Sequence, residues 1–212
     1  MSRPVQGEPR RAPARGEGTS GLLLRRRSRP ERVLVLGGAR SGKSVTAERM
    51  LADADRVDYV ATGAKADSAD PDWAAKVRTH QQRRPKQWIT IETLDLESVL
   101  TGRDLTPADL STPVLIECLS TWLARVMAHS GLWDGRPGAD EEVTRTMDRL
   151  VAAWLATSRP VIAVSNEVGS GVVPGTVSGI RFRDELGGLN ARIAAESQQV
   201  WLCIAGIPQR LK

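Results

Sequence analysis

The chain has 212 residues, 41% of them hydrophobic, which suffices for one domain whose core needs no disulfide bonds. Its net charge is +5, but the first 30 residues hold eight arginines and two glutamates, so residues 31–212 carry about −1. A nearly neutral body argues against nucleic-acid binding through the folded surface.

The composition also separates a leader from a body. Residues 1–30 are rich in Arg, Pro and Gly and offer little to bury, so we expect a disordered basic leader and a single domain over residues 31–212. No apolar run approaches the roughly 18 residues of a membrane span, nor the core of a signal peptide. Cys118 and Cys203 lie far apart in apolar segments, which is typical of small buried side chains in a reducing compartment, so we expect a cytoplasmic protein.

The most informative segment is VLVLGGARSGKSVTAE, from Val33 to Glu48. It satisfies the pattern G-x-x-x-x-G-K-[ST]. An apolar, β-prone run at Val33–Leu36 precedes the glycines, and a helical pattern over residues 44–51 follows them. This strand–loop–helix context predicts that the chain binds a nucleoside triphosphate.

Each part of the motif has a physical role. We expect Gly37, Gly38 and Gly42 to adopt left-handed backbone angles and to form a nest of N–H groups that binds phosphate oxygens. The motif predicts that Lys43 reaches the β- and γ-phosphates and that the Ser44 hydroxyl is a ligand of Mg²⁺.

Six strand-like runs alternate with helical patterns along the chain. They are Val33–Leu36, Val57–Ala61, Trp88–Glu92, Val114–Cys118, Val161–Ser165 and Val200–Ile204. Such alternation is typical of βαβ units. We therefore predict an α/β, P-loop NTPase-like fold, with a mostly parallel sheet of six or seven strands and helices on both faces. Polar connections are expected at residues 63–69, 101–112 and 131–139.

The dipeptide Asp70-Pro71 predicts the start of a helix over Pro71–Gln82. His80 falls in its last turn, where it is surrounded by basic residues: Arg78, Arg83, Arg84 and Lys86. One interpretation is a helix-end histidine that complements the helix dipole. The other is a phosphate site, in which the cations keep the imidazole neutral and nucleophilic. Spacing alone favours the first.

Acidic and amide side chains follow two other predicted strands. Glu117 ends the run VLIE, the position at which a Walker-B carboxylate binds Mg²⁺ directly or through water. Asn166 and Glu167 follow the fifth run, so we expect them to contact a ligand at the carboxyl edge of the sheet.

Seven segments, taken together and in order, resemble one known family. They are GGARSGKS (37–44), YVAT (59–62), W-x-x-x-V-x-x-H-x-x-R-R-P (73–85), LIECLSTWL (115–123), SNEVGSGVVP (165–174), FRDELGGLNARI (182–193) and VWLCIAG (200–206). The chain is similar, over about residues 32–212, to the bifunctional adenosylcobinamide kinases/adenosylcobinamide-phosphate guanylyltransferases of cobalamin biosynthesis.

The resemblance implies a two-step enzyme. ATP or GTP phosphorylates adenosylcobinamide, a corrinoid, and GTP then donates GMP to a histidine that passes it to the corrinoid phosphate, giving adenosylcobinamide-GDP. The family's guanylylated histidine matches His80, which reverses the interpretation from spacing. His80 and Lys43 are the expected catalytic residues, and a neutral imidazole is a good nucleophile toward phosphorus.

The resemblance also implies the binding residues. The expected nucleotide contacts are Gly37, Gly38, Ala39, Arg40, Ser41, Gly42, Lys43, Ser44, Thr62, Gly63, Ala64, Gln81, Gln82, Arg83, Arg84, Glu92 and Glu117. Ser44 and Glu117 are the expected Mg²⁺ ligands. We expect a homo-oligomer, a ring-like trimer in the family, and no nucleic-acid partner.

Two other classes of function remain compatible with the sequence. One is a P-loop kinase of small molecules without a transferase step, in which His80 only caps its helix. The other is a nucleotide-dependent regulatory protein that uses the basic leader to contact nucleic acid.

Overall fold

A computed structural model describes residues 31–63, 71–103, 105–106 and 109–212. Within them, seven strands form one sheet in the order β3-β2-β4-β5-β1-β6-β7. The strands are β1 Arg32–Gly37, β2 Asp58–Ala61, β3 Ile89–Glu92, β4 Val114–Glu117, β5 Val161–Asn166, β6 Gln199–Ile204 and β7 Ile207–Arg210. All neighbouring pairs are parallel except β6 with β7. The predicted, mostly parallel sheet is confirmed.

In the described part of the chain, six α-helices connect these strands. They are α1 Lys43–Met50, α2 Pro71–Arg83, α3 Leu96–Thr101, α4 Leu119–His129, α5 Ala139–Ala156 and α6 Val177–Ala195. Short 3₁₀ turns at Asp109–Ser111 and Leu132–Asp134 lie within two of the predicted connections. Among the described residues, no helix combines the length and the apolar character that crossing a bilayer requires. Residues 1–30 and 64–70, which include the predicted leader and most of the first connection, lie outside the described residues.

The central strands are apolar throughout because both faces of the sheet are covered. On β1, Leu34 and Leu36 face a core shared with α3, α4, α5 and α6, whereas Val33 and Val35 face a second core against α1. Cys118 and Cys203 are both buried and free, as predicted.

The seventh strand, β7, was not predicted as a separate strand, and its sequence lacks an apolar run. Its residues, IPQR, are all exposed, and Pro208 breaks any apolar alternation. A turn at Ala205 and Gly206, with φ angles of 51° and 82°, folds it back on β6. That turn also contacts the glycine loop, since the Gly206 N–H donates to the Ser41 carbonyl at 2.9 Å.

Candidate active site

The loop between β1 and α1 is compact because two of its glycines occupy places where a side chain cannot fit. A Cβ on Gly37 would lie 2.3 Å from Ser41 Oγ, and a Cβ on Gly42, whose φ is +94°, would lie 3.0 Å from the Gly206 Cα. Gly38 was expected to be left-handed as well, but this was wrong. The left-handed position is taken by Arg40, with φ 57°, and the space beside Gly38 is open. Gly38 therefore leaves room for a ligand close to the backbone.

Lys43 bridges its own loop. It is 8% exposed, and its ammonium donates to the Gly38 carbonyl at 3.0 Å. The side chain thus lies across the concave side of the glycine loop, where phosphate oxygens would meet both the ammonium and the N–H groups at the start of α1.

Glu117 and Ser44 meet although 73 residues separate them. The carboxyl ends of parallel strands share one sheet edge, and β4 lies two strands from β1. Ser44 Oγ donates to Glu117 Oε1 at 2.8 Å. Burial raises the pKa of Glu117 to about 7, and the Ser44 hydrogen bond and the Lys43 charge only partly oppose this.

This pair is suited to a hard cation. A hydroxyl and a carboxylate are oxygen ligands of the kind Mg²⁺ takes, and a cation would offset the cost of ionising the buried carboxylate. The described residues contain no group of three or more His, Cys, Asp or Glu side chains that could hold a metal alone. The pair therefore fits a cation that is bound mainly by phosphate and water.

His80 lies on α2 and faces the glycine loop. Burial lowers the pKa of its ring to about 4, with further contributions from Arg83, Arg84 and Lys43. Four cations were expected to act on the ring, and two of them, Arg83 and Arg84, help to lower its pKa. The third charge that lowers the pKa comes from Lys43, and not from Arg78 or Lys86. The imidazole is therefore neutral at neutral pH.

Arg84 is fixed by three partners. Its guanidinium lies 3.8 Å from the centre of the Tyr59 ring. Its Nε donates to the His80 carbonyl at 3.0 Å, and NH1 donates to Thr90 Oγ1 at 2.8 Å. These contacts tie the end of α2 to β2 and β3, which places the His80 ring relative to the sheet.

The loop after β2 is anchored by Thr62, which was predicted, and by Arg125 on α4, which was not. Thr62 is fully buried, and its hydroxyl lies 2.8 Å from the Cys118 carbonyl oxygen and 2.7 Å from Thr121 Oγ1. Arg125 NH1 donates to the carbonyls of Thr62 and Gly63 at 3.0 and 2.8 Å. A lone arginine in a helical pattern gave no signal of this role. Ala64, the third expected contact here, lies outside the described residues.

Most of the expected site residues line one cleft of about 930 Å³, a size suited to a nucleotide. They are Ala39, Arg40, Ser41, Gly42, Lys43, Ser44, Gly63, His80, Gln81, Arg83, Arg84, Glu92, Glu117 and Asn166. Gly37, Gly38, Thr62, Gln82 and Glu167 are not on its wall, although the first two belong to the glycine loop. Tyr59, Thr90 and Thr121 line the cleft without having been predicted.

His129, the second histidine, has different surroundings. Its Nδ1 lies 2.7 Å from the Arg125 carbonyl oxygen, and it lines a separate cavity of about 390 Å³ with residues of α3, α4 and α5. It lies among none of the phosphate-loop residues.

A glycine loop between the first strand and helix, a lysine folded across it and a carboxylate at a nearby strand end define a P-loop nucleotide-binding protein. Residues 33–211 match the family described as cobinamide kinase / cobinamide phosphate guanyltransferase, and the chain belongs to this family.

Two similar bacterial proteins agree with this assignment. A bifunctional adenosylcobalamin biosynthesis protein, CobU, from Escherichia coli (strain K12) is 34% identical over 85% of this chain and 99% of that protein. A protein of the same description, CobP, from Pseudomonas aeruginosa PAO1 is 36% identical over 85% of this chain and 97% of that protein. Among solved structures, KaiC-like protein PH0186 from Pyrococcus horikoshii OT3 covers 82% of this chain and 71% of its own, with 11% identity and a TM-score of 0.41.

Proposed function

We propose that this chain phosphorylates adenosylcobinamide and then transfers GMP from GTP to the product through a guanylyl-histidine at His80, giving adenosylcobinamide-GDP. Membership of the cobinamide kinase / guanyltransferase family supports the two activities. The observation that carries the second is the place of a neutral imidazole in the cleft of the phosphate loop.

The proposed chemistry divides between two groups of residues. Lys43 and the loop N–H groups bind the triphosphate in both steps, and Lys43 also stabilises the charge that develops on the departing phosphates. His80 attacks the α-phosphorus of GTP, and pyrophosphate leaves. Arg83 and Arg84, three and four residues after the nucleophile, supply positive charge beside the same phosphorus.

Ser44 and Glu117 would hold Mg²⁺, which neutralises phosphate charge when bound. Their hydrogen bond of 2.8 Å keeps both oxygens together before any ligand arrives. We further propose that either ATP or GTP serves the kinase step, and that the protein works in the cytoplasm as a symmetric homo-oligomer, a trimer, which light scattering in solution would test.

Labelling with GTP carrying ³²P at the α-phosphate tests the transfer. The wild-type chain should acquire a label that acid removes and alkali does not, as expected for a phosphoramidate. His80→Ala should abolish the label, and His129→Ala, the matched control, should retain it. A wild-type chain that takes up no label would contradict the proposal.

The alternative is a kinase without a transferase step, which the P-loop alone would support. The bifunctional enzyme and the kinase alone form different products from GTP and adenosylcobinamide, and mass spectrometry distinguishes these products. A product that stops at the phosphate in both wild type and His80→Ala would favour the kinase.

A further inference from the structure

The carboxylate of Glu48, which the proposed chemistry does not use, faces the His80 ring from α1. Its Oε1 lies 4.0 Å from His80 Nδ1 and 3.0 Å from Arg83 NH2. The side chain of Glu48 is 13% exposed and that of Arg83 is 35% exposed. The carboxylate is therefore the inner partner, on the helix that begins at the phosphate loop, and the guanidinium is the outer one.

The present hydrogen bond fixes the tautomer that cannot attack through Nε2. Arg83 NH2 lies 3.2 Å from His80 Nδ1, and a guanidinium can only donate, so Nδ1 is the acceptor. Because burial and the neighbouring cations lower the pKa of the ring to about 4, the ring is neutral and its single proton lies on Nε2. An Nε2–H has no lone pair to offer phosphorus, and the 4.0 Å approach to Glu48 is not an ion pair.

A bound triphosphate changes the partners of Arg83. A guanidinium binds phosphate oxygens in a bidentate, charge-assisted manner, and Arg83 is the more exposed member of the pair. Once it turns to the phosphates, Nδ1 loses its donor. Of the charged groups that face the ring, Lys43, Arg83 and Arg84 can only donate, whereas Glu48 can accept. A shift of roughly 1 Å would bring its carboxylate within hydrogen-bond range.

We propose that Glu48 is the positioning residue of His80: with Arg83 engaged on phosphate, the ring loses its Nε2 proton to solvent and takes one up at Nδ1. The Nδ1–H then donates a hydrogen bond to the Glu48 carboxylate, and Nε2 is left with the lone pair that attacks. This rests on the guanylyl transfer proposed above. It assigns the new bond to one nitrogen of the ring and gives the P-loop helix a role in the chemistry of the histidine.

The atoms balance in both steps. The Nε2 lone pair forms the N–P bond at the α-phosphorus while the bond from that phosphorus to the bridging oxygen breaks, and pyrophosphate leaves with the electron pair. The proton stays on Nδ1, so Glu48 balances the charge of a phosphorylated imidazolium. In the second step an oxygen of the corrinoid phosphate attacks, the N–P bond breaks, and neutral Nδ1–H imidazole leaves.

Two measurements test this role. Protein with ¹⁵N-labelled histidine is incubated with GTP, and ³¹P and ¹⁵N NMR identify the nitrogen that carries GMP. Rapid quenching with α-labelled GTP gives the rate of guanylylation, and a binding titration gives the affinity for GTP. The variants are Glu48→Ala and Glu48→Gln, with Asp53→Ala, an exposed carboxylate just beyond α1, as the matched control.

We expect wild-type GMP on Nε2. Glu48→Ala should guanylylate on the order of 10²-fold more slowly with unchanged GTP affinity, because a misplaced nucleophile loses rate and not binding. Glu48→Gln, whose amide oxygen still accepts from Nδ1–H, should recover part of the rate, and Asp53→Ala should match wild type.

Other results would overturn the inference. GMP on Nδ1 in the wild type would place the reacting nitrogen on the wrong side of the ring. An unchanged rate of guanylylation in Glu48→Ala would show that Glu48 does not position the His80 ring. An equal loss of rate and of GTP affinity would show that Glu48 only maintains the structure of the site. A wild type that forms no adduct contradicts the guanylyl transfer itself, and the inference falls with it.

Discussion

At the scale of single residues, burial decides the protonation of two titratable groups in the cleft, Glu117 and His80. It raises the pKa of Glu117 to about 7 and lowers that of His80 to about 4. Desolvation penalises the charged form of each, so an acid and a base both move toward neutrality. The cleft therefore presents a neutral nucleophile and a carboxyl that ionises near physiological pH.

These shifts give opposite pH dependences of stability. The pKa of Glu117 is higher in the folded protein than its unfolded value of 4.5. Its contribution to the free energy of unfolding is therefore complete below about pH 4.5 and is lost as the pH rises through 7. His80 has a folded pKa below its unfolded value of 6.5, so its contribution is complete above about pH 6.5 and is lost as the pH falls through 4. The two slopes oppose each other between these limits.

Glu117→Gln removes one of these two opposing effects. We expect the remaining pH dependence of the free energy of unfolding to be that of His80. In urea titrations without nucleotide, the free energy of unfolding of this variant should rise relative to wild type as the pH increases from 4.5 to 7. Glu92→Gln, which removes an exposed carboxylate of the same cleft, is the control. A constant difference between Glu117→Gln and wild type across this range would show that Glu117 titrates normally.

At the scale of elements, the site depends on helices that lie behind it. Arg125 on α4 donates to two consecutive carbonyls at the end of β2, which turns the chain toward the cleft. Its guanidinium satisfies acceptors that a loop would otherwise expose to water or leave unpaired. The position of Gly63 on the cleft wall is thus set by α4.

Arg125→Ala should therefore weaken nucleotide binding. We expect the KM for GTP to rise roughly tenfold, with a smaller change in kcat, because the lost contacts position a binding loop and not the reacting atoms. Steady-state kinetics would measure this, with Arg145→Ala on the exposed side of α5 as the control. A KM equal to that of the control would mean that the loop holds its shape without the arginine.

At the scale of the whole molecule, one buried arginine joins several elements. Arg159 is 1% exposed, and its NH2 donates to Asp58 Oδ2 on β2 at 2.5 Å. The same side chain donates to the Val99 carbonyl of α3 at 3.2 Å and to the Thr112 carbonyl before β4 at 3.1 Å. A single guanidinium thus connects a helix and two neighbouring strands at the edge of the sheet opposite the cleft.

We expect Arg159→Leu to lower the free energy of unfolding by about 3–5 kcal/mol, because it leaves the Asp58 carboxylate buried without its counter-charge. The double variant Arg159→Leu with Asp58→Leu should lose clearly less than the sum of the two single variants. Urea denaturation measures all four proteins. Additive losses would show that the two side chains act independently, against the geometry of the pair.

The sequence was most informative where burial is most complete. The central strands, covered on both faces, are continuous apolar runs, and their predicted boundaries lie within one residue of those observed. The same holds for β3, which is largely exposed at the edge of the sheet but carries the β-branched residues Ile89, Thr90 and Ile91. β7 is exposed and carries a proline, and it forms only because a left-handed turn returns the chain to β6. Its sequence therefore lacks the pattern of a strand.

The site could be predicted only as far as motifs extend. Lys43, Ser44 and Glu117 follow from local patterns, because each stands at a fixed place on a strand or helix end. Glu48 and Arg125 resemble ordinary surface charges of helices. Their roles depend on which helix packs against which loop, and a single sequence does not contain that information.

The contact between the glycine loop and the turn at Gly206 has a consequence for the order in which the protein is made. β1 pairs with β5 and β6, and the Ser41 carbonyl accepts from the Gly206 N–H, so residues near 40 need partners synthesised about 165 positions later. Until the chain has been extended to Gly206, the glycine loop lacks this contact. The glycine loop therefore reaches its final shape only after β6 and the turn that follows it have been made.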